Sequence, residues 1–168
     1  YILGKTQSGL SIMTIGASGV RSYFNIPSAR VSGAESSMNY QFANRHFSFN
    51  NTLKLLYGKD NNGNPLPLIA PFKSVSSLRF NHNNLFIQAE NELSSRQNRI
   101  SQEFGEKSSR GFSIINLRAN YTFQLKTYKL ELSAGAENLL DKAYYEHLDW
   151  GKMLRPGRNI YMMLSMKF

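Results

Sequence analysis

The residues with the richest chemistry in this 168-residue chain crowd into one stretch, "YYEHLDWGKM", Tyr144 to Met153. The imidazole of His147 and the thioether of Met153 suit a soft or borderline metal such as copper, and Asp149 could add an oxygen. Tyr144, Tyr145 and Trp150 offer ring faces to an aromatic or macrocyclic ligand. Lys152, together with Lys59, Arg96, Arg99, Lys107, Arg110 and Arg155, could draw anionic chelates, or pair with other anions, through their field. A metal site ordinarily gathers roughly three or four ligands, and one His with one Met falls short of that. Interfacial aromatics and an exposed loop histidine account equally for the stretch. Tyr145, His147, Trp150, Lys152 and Met153 are therefore the candidate substrate contacts, and no metal is assigned.

Catalysis has less support. The histidines stand at 46, 82 and 147, and the first two fall in short turns. A Ser-His hydrolase needs its pair and an acid at one level of the structure, and no predicted strand carries such a set. No enzyme and no cofactor are expected. Net charge is +9, but the cations are scattered, with no basic run and no recognition helix, so nucleic acid is not an expected partner. The absence of cysteine fits both a cell envelope and a cytosol and decides nothing.

The elements that must position these residues are strands. Mean hydropathy is −0.40, and no apolar run of about 18 residues could make a membrane-spanning helix. Period-2 alternation recurs throughout. Only "ENLLDKAYYEHL" could pass for a helix. The pattern predicts a strand remnant over 1–5, a Gly/Ser-rich polar stretch, and a long strand over 20–42 interrupted by Pro27. Further strands follow over 47–58, 72–81, 85–97, 112–123 and 128–138. The last, "RNIYMMLSMKF", sets Ile160, Met162, Leu164, Met166 and Phe168 on one side. "ANRH", "NHNN" and "QLKTY" are short turns; the connections between them are long, polar and Pro/Gly-bearing.

Eight strands of about ten residues, joined alternately by short and long connections, fit a bilayer-crossing sheet. In lipid no water can satisfy a free N–H or C=O, so such a sheet must close on itself. One face then meets lipid and the other a polar lumen, with short turns periplasmic and long loops outside. Phe42, Phe47, Phe80, Phe123 and Phe168 sit near strand ends, as an interfacial girdle would. The fold expected is all-β: an antiparallel transmembrane β-barrel. A soluble sandwich or lipocalin-like barrel also alternates, but mid-strand Glu, Arg and Lys suit a wet lumen better.

The C-terminal stretch "LSAGAENLLDKAYYEHL…RPGRNIYMMLSMKF" resembles the end of TonB-dependent outer-membrane receptors. Gly135, Glu137, Asn138, Leu139, Leu140, Asp141, Lys142 and Tyr144 match that family's Gly-x-Glu-Asn-Leu block. Pro156, Gly157 and Arg158 match its Pro-Gly-Arg, and Phe168 its terminal aromatic. Asn25, Ala29, Gly33 and Glu35 in "NIPSARVSGAE", the stretch "PLPLIAPFK" and the strand "SIINLRANYTF" agree. The resemblance implies a barrel of about 22 strands around an N-terminal plug. This chain would be its last eight strands, residues 1–168, without plug or TonB box. It begins at Tyr1 with no initiator Met and no signal-peptide pattern, which suits a piece of a longer chain. The implied function is active uptake of a scarce nutrient: a ferric siderophore, another metal chelate or a cobalamin-like ligand. The implied site is the outer membrane of a Gram-negative bacterium. The implied partners are TonB, acting through the plug, the rest of the barrel, membrane lipid and lipopolysaccharide, the barrel-assembly machinery and a small-molecule substrate. A stand-alone small barrel with a structural or adhesive role, and a passive porin-like channel, remain as alternatives.

Overall fold

The structure is a computed structural model that describes the backbone of residues 2–15 and 21–167, and the side chains of 25–149 and 151–167. It contains β1 (Ile2–Ile15), β2 (Arg21–Phe42), β3 (Phe47–Asp60), β4 (Lys73–His82), β5 (Leu85–Ser94), β6 (Phe112–Gln124), β7 (Lys129–Glu137) and β8 (Asn159–Lys167). These form one eight-stranded sheet in sequence order, and every neighbouring pair is antiparallel. Among the described residues β1 and β8 do not pair with each other, so the sheet is an open arc. Tyr1 and Phe168 lie outside the described residues.

Two expectations at the N-terminal end need correction. The predicted remnant over 1–5 is a full strand to Ile15, and the Gly/Ser-rich stretch belongs to it as far as that residue; residues 16–20 lie outside the described residues. Its small polar residues hide the alternation, but its backbone pairs with β2 throughout. Pro27 does not interrupt β2. The β1 register continues on both sides of it, Ser8 opposite Ser28 and Leu10 opposite Ile26, while β3 reaches only as far as Asp60 opposite Ala29. Proline therefore sits where β2 has a partner on one side only, the edge-like setting in which a strand tolerates it. The β5 strand also stops earlier than expected, at Ser94. The segment that could pass for a helix is loop; among the described residues helical geometry appears only as a 3-10 turn at Trp150–Lys152.

Register places the alternating residues on two continuous faces. Phe47, Phe80, Ile87 and Ala119 are successive partners across β3 to β6, and Leu132 pairs with Leu164. On this face Ile160 and Met162 are 73% and 77% exposed. The opposite face is polar and covered: Ser77, Gln88 and Asn116 are buried. That is the reverse of a water-soluble protein, which buries its oily side chains and exposes its amides; it is the arrangement of a wall between lipid and a polar lumen. The soluble alternative required Leu164 and Met166 to pack inside a globule, yet they are 64% and 48% exposed.

The polar face is held by cross-strand pairs. Lys54 meets Glu35 at 2.9 Å, Arg79 Nε donates to Gln88 Oε1 at 3.0 Å, and Asn116 Nδ2 donates to Glu90 Oε1 at 3.2 Å. Charges paired across a sheet in this way stabilise it modestly. At the short-turn end of the apolar face, Phe42 stacks on Phe47 (5.4 Å) and Phe47 tilts against Phe80 (4.9 Å), the expected aromatic girdle. One feature joins β7 to β8: a Cβ at Gly135 would fall inside the ring of Tyr161, its register partner. Glycine leaves room there for the Tyr161 ring to lie over the backbone, and a larger residue would displace the ring.

Candidate functional site: the crown of long loops

The three long connections, 61–72, 95–111 and 138–158, gather at one end of the sheet. They are tied together by a buried network that no sequence pattern announced. Glu106 Oε1 accepts from Leu68 N at 3.0 Å and from His147 Nε2 at 2.9 Å, and its Oε2 accepts from Ser101 N at 2.9 Å. One carboxylate therefore holds all three loops. The side chains of His147 and Glu106 are 1% and 7% exposed. A carboxylate only accepts, so His147 carries a proton on Nε2. Its Nδ1 then meets Ser109 Oγ at 2.9 Å.

This corrects two expectations. His147 is not an exposed loop histidine, and a Ser-His-acid set, Ser109-His147-Glu106, does exist. The set spans loops rather than one strand, and Ser109 is only 3% exposed, so its hydroxyl is packed away from any substrate. Its chemistry is positional. Beside it, Gln97, 1% exposed, donates through Nε2 to Ile69 O at 2.8 Å and bridges to Ser109 through the backbone.

The five predicted contact residues are only partly brought together. Lys152 Nζ lies 5.8 Å over the Tyr145 ring and donates to the carbonyls of Lys107 and Ser108, the latter at 2.7 Å. Burial lowers the Lys152 pKa. Met153 is 72% exposed, whereas His147 is buried. The side chain of Trp150 lies outside the described residues. Asp149 is committed to Arg155, whose Nε and Nη2 both donate to it at 2.8 Å, and it also accepts from Glu146 N. The Arg155 hydrogen bonds, then that backbone bond, hold the Asp149 carboxyl down to about 2; the Arg155 pKa is raised in turn, first by the bond to Asp149. Among the described residues no group of three His, Cys, Asp or Glu could hold a metal ion.

The Glu-Asn-Leu and Pro-Gly-Arg stretches clamp the two ends of the third loop. Asn138, 3% exposed, adopts φ +47, a left-handed conformation that asparagine tolerates better than most residues. Its N–H donates to Asn116 Oδ1 at 2.9 Å. Its side chain takes both the N–H (2.8 Å) and the C=O (2.9 Å) of Lys142, and reaches Pro156 O at 3.4 Å. Leu139 N donates to Ile115 O. Asp141 Oδ1 accepts from Arg158 N at 2.8 Å, and a Cβ at Gly157 would lie 2.6 Å from that oxygen. Tyr144 packs on Phe112 with ring centroids 4.5 Å apart.

Below this clamp, on the polar face, is a pocket of about 300 Å³ lined by Glu92, Asn116, Glu137, Tyr144, Pro156 and Asn159. Lys73 bridges Glu92 (2.8 Å) and Glu146 (3.0 Å) at its edge. Burial and then the Glu92 charge push the Tyr144 hydroxyl up. Carboxylates, amides and a phenol facing one space can bind a hydrated cation or a polyhydroxylated ligand through hydrogen bonds. The sequence singles out Glu137 only as a family-motif residue, and Tyr144 both as one and as a ring face for an aromatic ligand. Glu92 lay unremarked among the polar alternates of its strand, and nothing short of the three-dimensional register could bring it to Glu137.

Comparison with known proteins places this architecture. Residues 6–139 match the family described as "TonB dependent receptor-like, beta-barrel". No curated protein matches the sequence. Among solved structures the chain is similar to "Copper transporter OprC", with a TM-score of 0.82 at 22% identity. That match covers 95% of this chain and 27% of the transporter, so the chain spans about a quarter of its length.

Proposed function

The chain belongs to the TonB-dependent receptor-like β-barrel family, and from that premise we propose that it is the C-terminal arc of an outer-membrane transporter wall. The carrying observation is the inverted arc: exposed Ile160, Met162 and Leu164 on one face and covered Gln88, Ser77 and Asn116 on the other. Lipid suits the first face and a lumen the second. The edges of β1 and β8 would then pair with the rest of the barrel, because an unpaired strand edge in hydrocarbon is too costly to persist. The barrel-assembly machinery would recognise the terminal strand.

The outer membrane has no energy source of its own, so concentrative uptake there needs coupling to the inner membrane. In this reading TonB supplies it by acting on a plug outside this chain, and this arc contributes wall and loops. The substrate class is a scarce small solute, a metal chelate first; the copper transporter similarity in fold is compatible with that choice. The pocket beneath the third loop, with Glu92, Glu137 and Tyr144, is its proposed way-station on the wall. Tyr145 and Lys152 lie in the loop above it.

The test is uptake in a strain lacking the gene, complemented by the complete receptor. Cells are offered copper, ferric siderophores, cobalamin and glycans, with and without TonB. Uptake of one class that requires both proteins supports the reading. Uptake that persists without TonB would overturn it in favour of a passive channel. The double variant Glu92→Gln/Glu137→Gln is expected to lower uptake about tenfold while the protein still reaches the membrane.

A further inference from the structure

The register of β2 and β3 contains an unfavourable pair. On the polar face Glu35 stands opposite Lys54, and the two form an ion pair. Five residues further along, on the apolar face, Arg30 stands opposite Lys59. Like charges directly across a sheet repel. The next pair on that face is Ser32 with Tyr57, and a third cation lies against it: the Arg99 guanidinium sits 4.0 Å over the Tyr57 ring. Three cations thus surround one exposed tyrosine. Among the described residues none of the three is in an ion pair, and residues 1–24, which include their β1 neighbours, contain no acid. Asp60 follows Lys59 but points to the other face, where its carboxylate accepts from the N–H groups of Asn62 and Asn64.

Depth identifies the counter-charge. Phe47, in the aromatic girdle, and Lys59 lie on the same face of β3, twelve residues apart. At about 3.3 Å per residue that is about 40 Å of strand. At a tilt near 45° it is a height of about 28 Å, close to the thickness of a hydrocarbon core. Phe49, Asn51, Leu53 and Leu55 fill the interval, with the Asn51 amide satisfied by Ser74 and Ser76 of the neighbouring strand; then come Tyr57 and the cations. The order apolar band, aromatic, cation is that of a side wall leaving lipid at its headgroups.

We propose that Arg30, Lys59 and Arg99, grouped around Tyr57, form a site on the outer side of the wall for the phosphate of an anionic outer-leaflet glycolipid. The guanidinium groups match a phosphate bidentately, Tyr57 packs against the lipid below it, and the anion relieves the Arg30–Lys59 repulsion. The site rests on the outer-membrane reading above, and it is separate from the loop pocket and from transport.

The test uses the complete receptor purified in detergent. Affinity for purified lipopolysaccharide is compared with that for the same lipid dephosphorylated, for a zwitterionic phospholipid, and for inorganic phosphate alone. The triple variant Arg30→Gln/Lys59→Gln/Arg99→Gln is expected to bind lipopolysaccharide on the order of a hundredfold more weakly, about fivefold per cation. Lys54→Gln, which removes the same charge on the polar face, is expected to leave binding within about twofold of the parent. Arg99→Gln alone, in a loop, guards against a folding defect and should still show a severalfold loss. Equal binding by parent and triple variant, equal binding of the dephosphorylated lipid, or competition by millimolar phosphate as strong as by the lipid would each overturn the proposal. Fractionation of the cells separates failure of the site from failure of its premise: a receptor absent from the outer membrane sinks the premise, whereas one present there without lipid preference sinks the site.

Discussion

Removing the Glu106 carboxylate tests whether the loop crown is built or merely collapsed. Glu106→Ala abolishes three hydrogen bonds to an ionised acceptor, from Leu68 N, Ser101 N and His147 Nε2. Bonds to charged groups contribute about 1.5–3 kcal/mol each, and a buried donor left unpaired adds to the loss. The three are not additive, because they share one anchor, so we expect the crown to lose about 3–4 kcal/mol of local stability. Glu106→Gln should cost about half as much. Its amide can present an acceptor to one side of the site but turns N–H groups toward the other. The measurement is hydrogen exchange in the complete receptor. Amides of Leu68 and Ser101 should exchange about 10²–10³ times faster in Glu106→Ala, since each 1.4 kcal/mol is about tenfold. Amides of β4 to β6 should be unchanged, and Glu103→Gln, on an exposed residue of the same loop, should have no effect. Acceleration of less than about fivefold at Leu68 and Ser101 would refute the claim that this carboxylate is the crown's common anchor.

The third loop gives the remaining predictions. Asn138→Ala removes its side-chain bonds to Lys142 and Pro156 and leaves a left-handed backbone on a residue that resists it; about 2–4 kcal/mol of local stability should go, seen as faster tryptic cleavage at Lys142 and Lys152. Gly135→Ala forces a methyl group into the Tyr161 ring and should destabilise by about 1–3 kcal/mol, read as earlier heat-induced loss of the folded band on gels, with Tyr161→Ala restoring part of it. Asp149 has its carboxyl pKa depressed to about 2 from 3.8, so its contribution is complete above pH 3.8 and fades as pH falls toward 2. Protection of the Glu146 amide, its exchange rate taken relative to the intrinsic rate at each pH, should therefore be high at pH 5 and reduced at pH 2.5, and in Asp149→Asn it should be low at both.

The strands were most legible where both faces were chemically distinct. In β7 the Leu130, Leu132, Ala134 and Ala136 series against Lys129, Glu131 and Ser133 gives period two without ambiguity, and the structure agrees. In β1 the alternation is hidden by Gly4, Lys5, Gln7, Ser8 and Gly9, residues compatible with turn or strand until a partner is present. Pro27 carried a local signal for a break, and tertiary context overrode it because no β3 backbone reaches that point. The loop network was invisible for a different reason. Glu106 and Ser109 share one irregular loop, but His147 lies 41 and 38 residues further on, beyond β6 and β7, with no period to relate them. The clamp residues Asn138, Asp141, Pro156 and Gly157 are legible through family resemblance, and the hydrogen bonds of Asn138 and Asp141 show that they shape the loop, while Asn138, Pro156 and Gly157 also line the pocket beneath it.

Because each strand, among the described residues, bonds only to its sequence neighbours, the wall is modular. A hairpin with its tight turn, such as β4 to β5 through Asn83 and Asn84, is a complete tile whose two outer edges match those of every other tile. Circumference can then change by duplication or loss of whole hairpins, leaving surviving registers intact, while single-strand gains would reverse which end carries the long loops. Such a chain can also enter a membrane one tile at a time, each new pair templated on the exposed edge of the last.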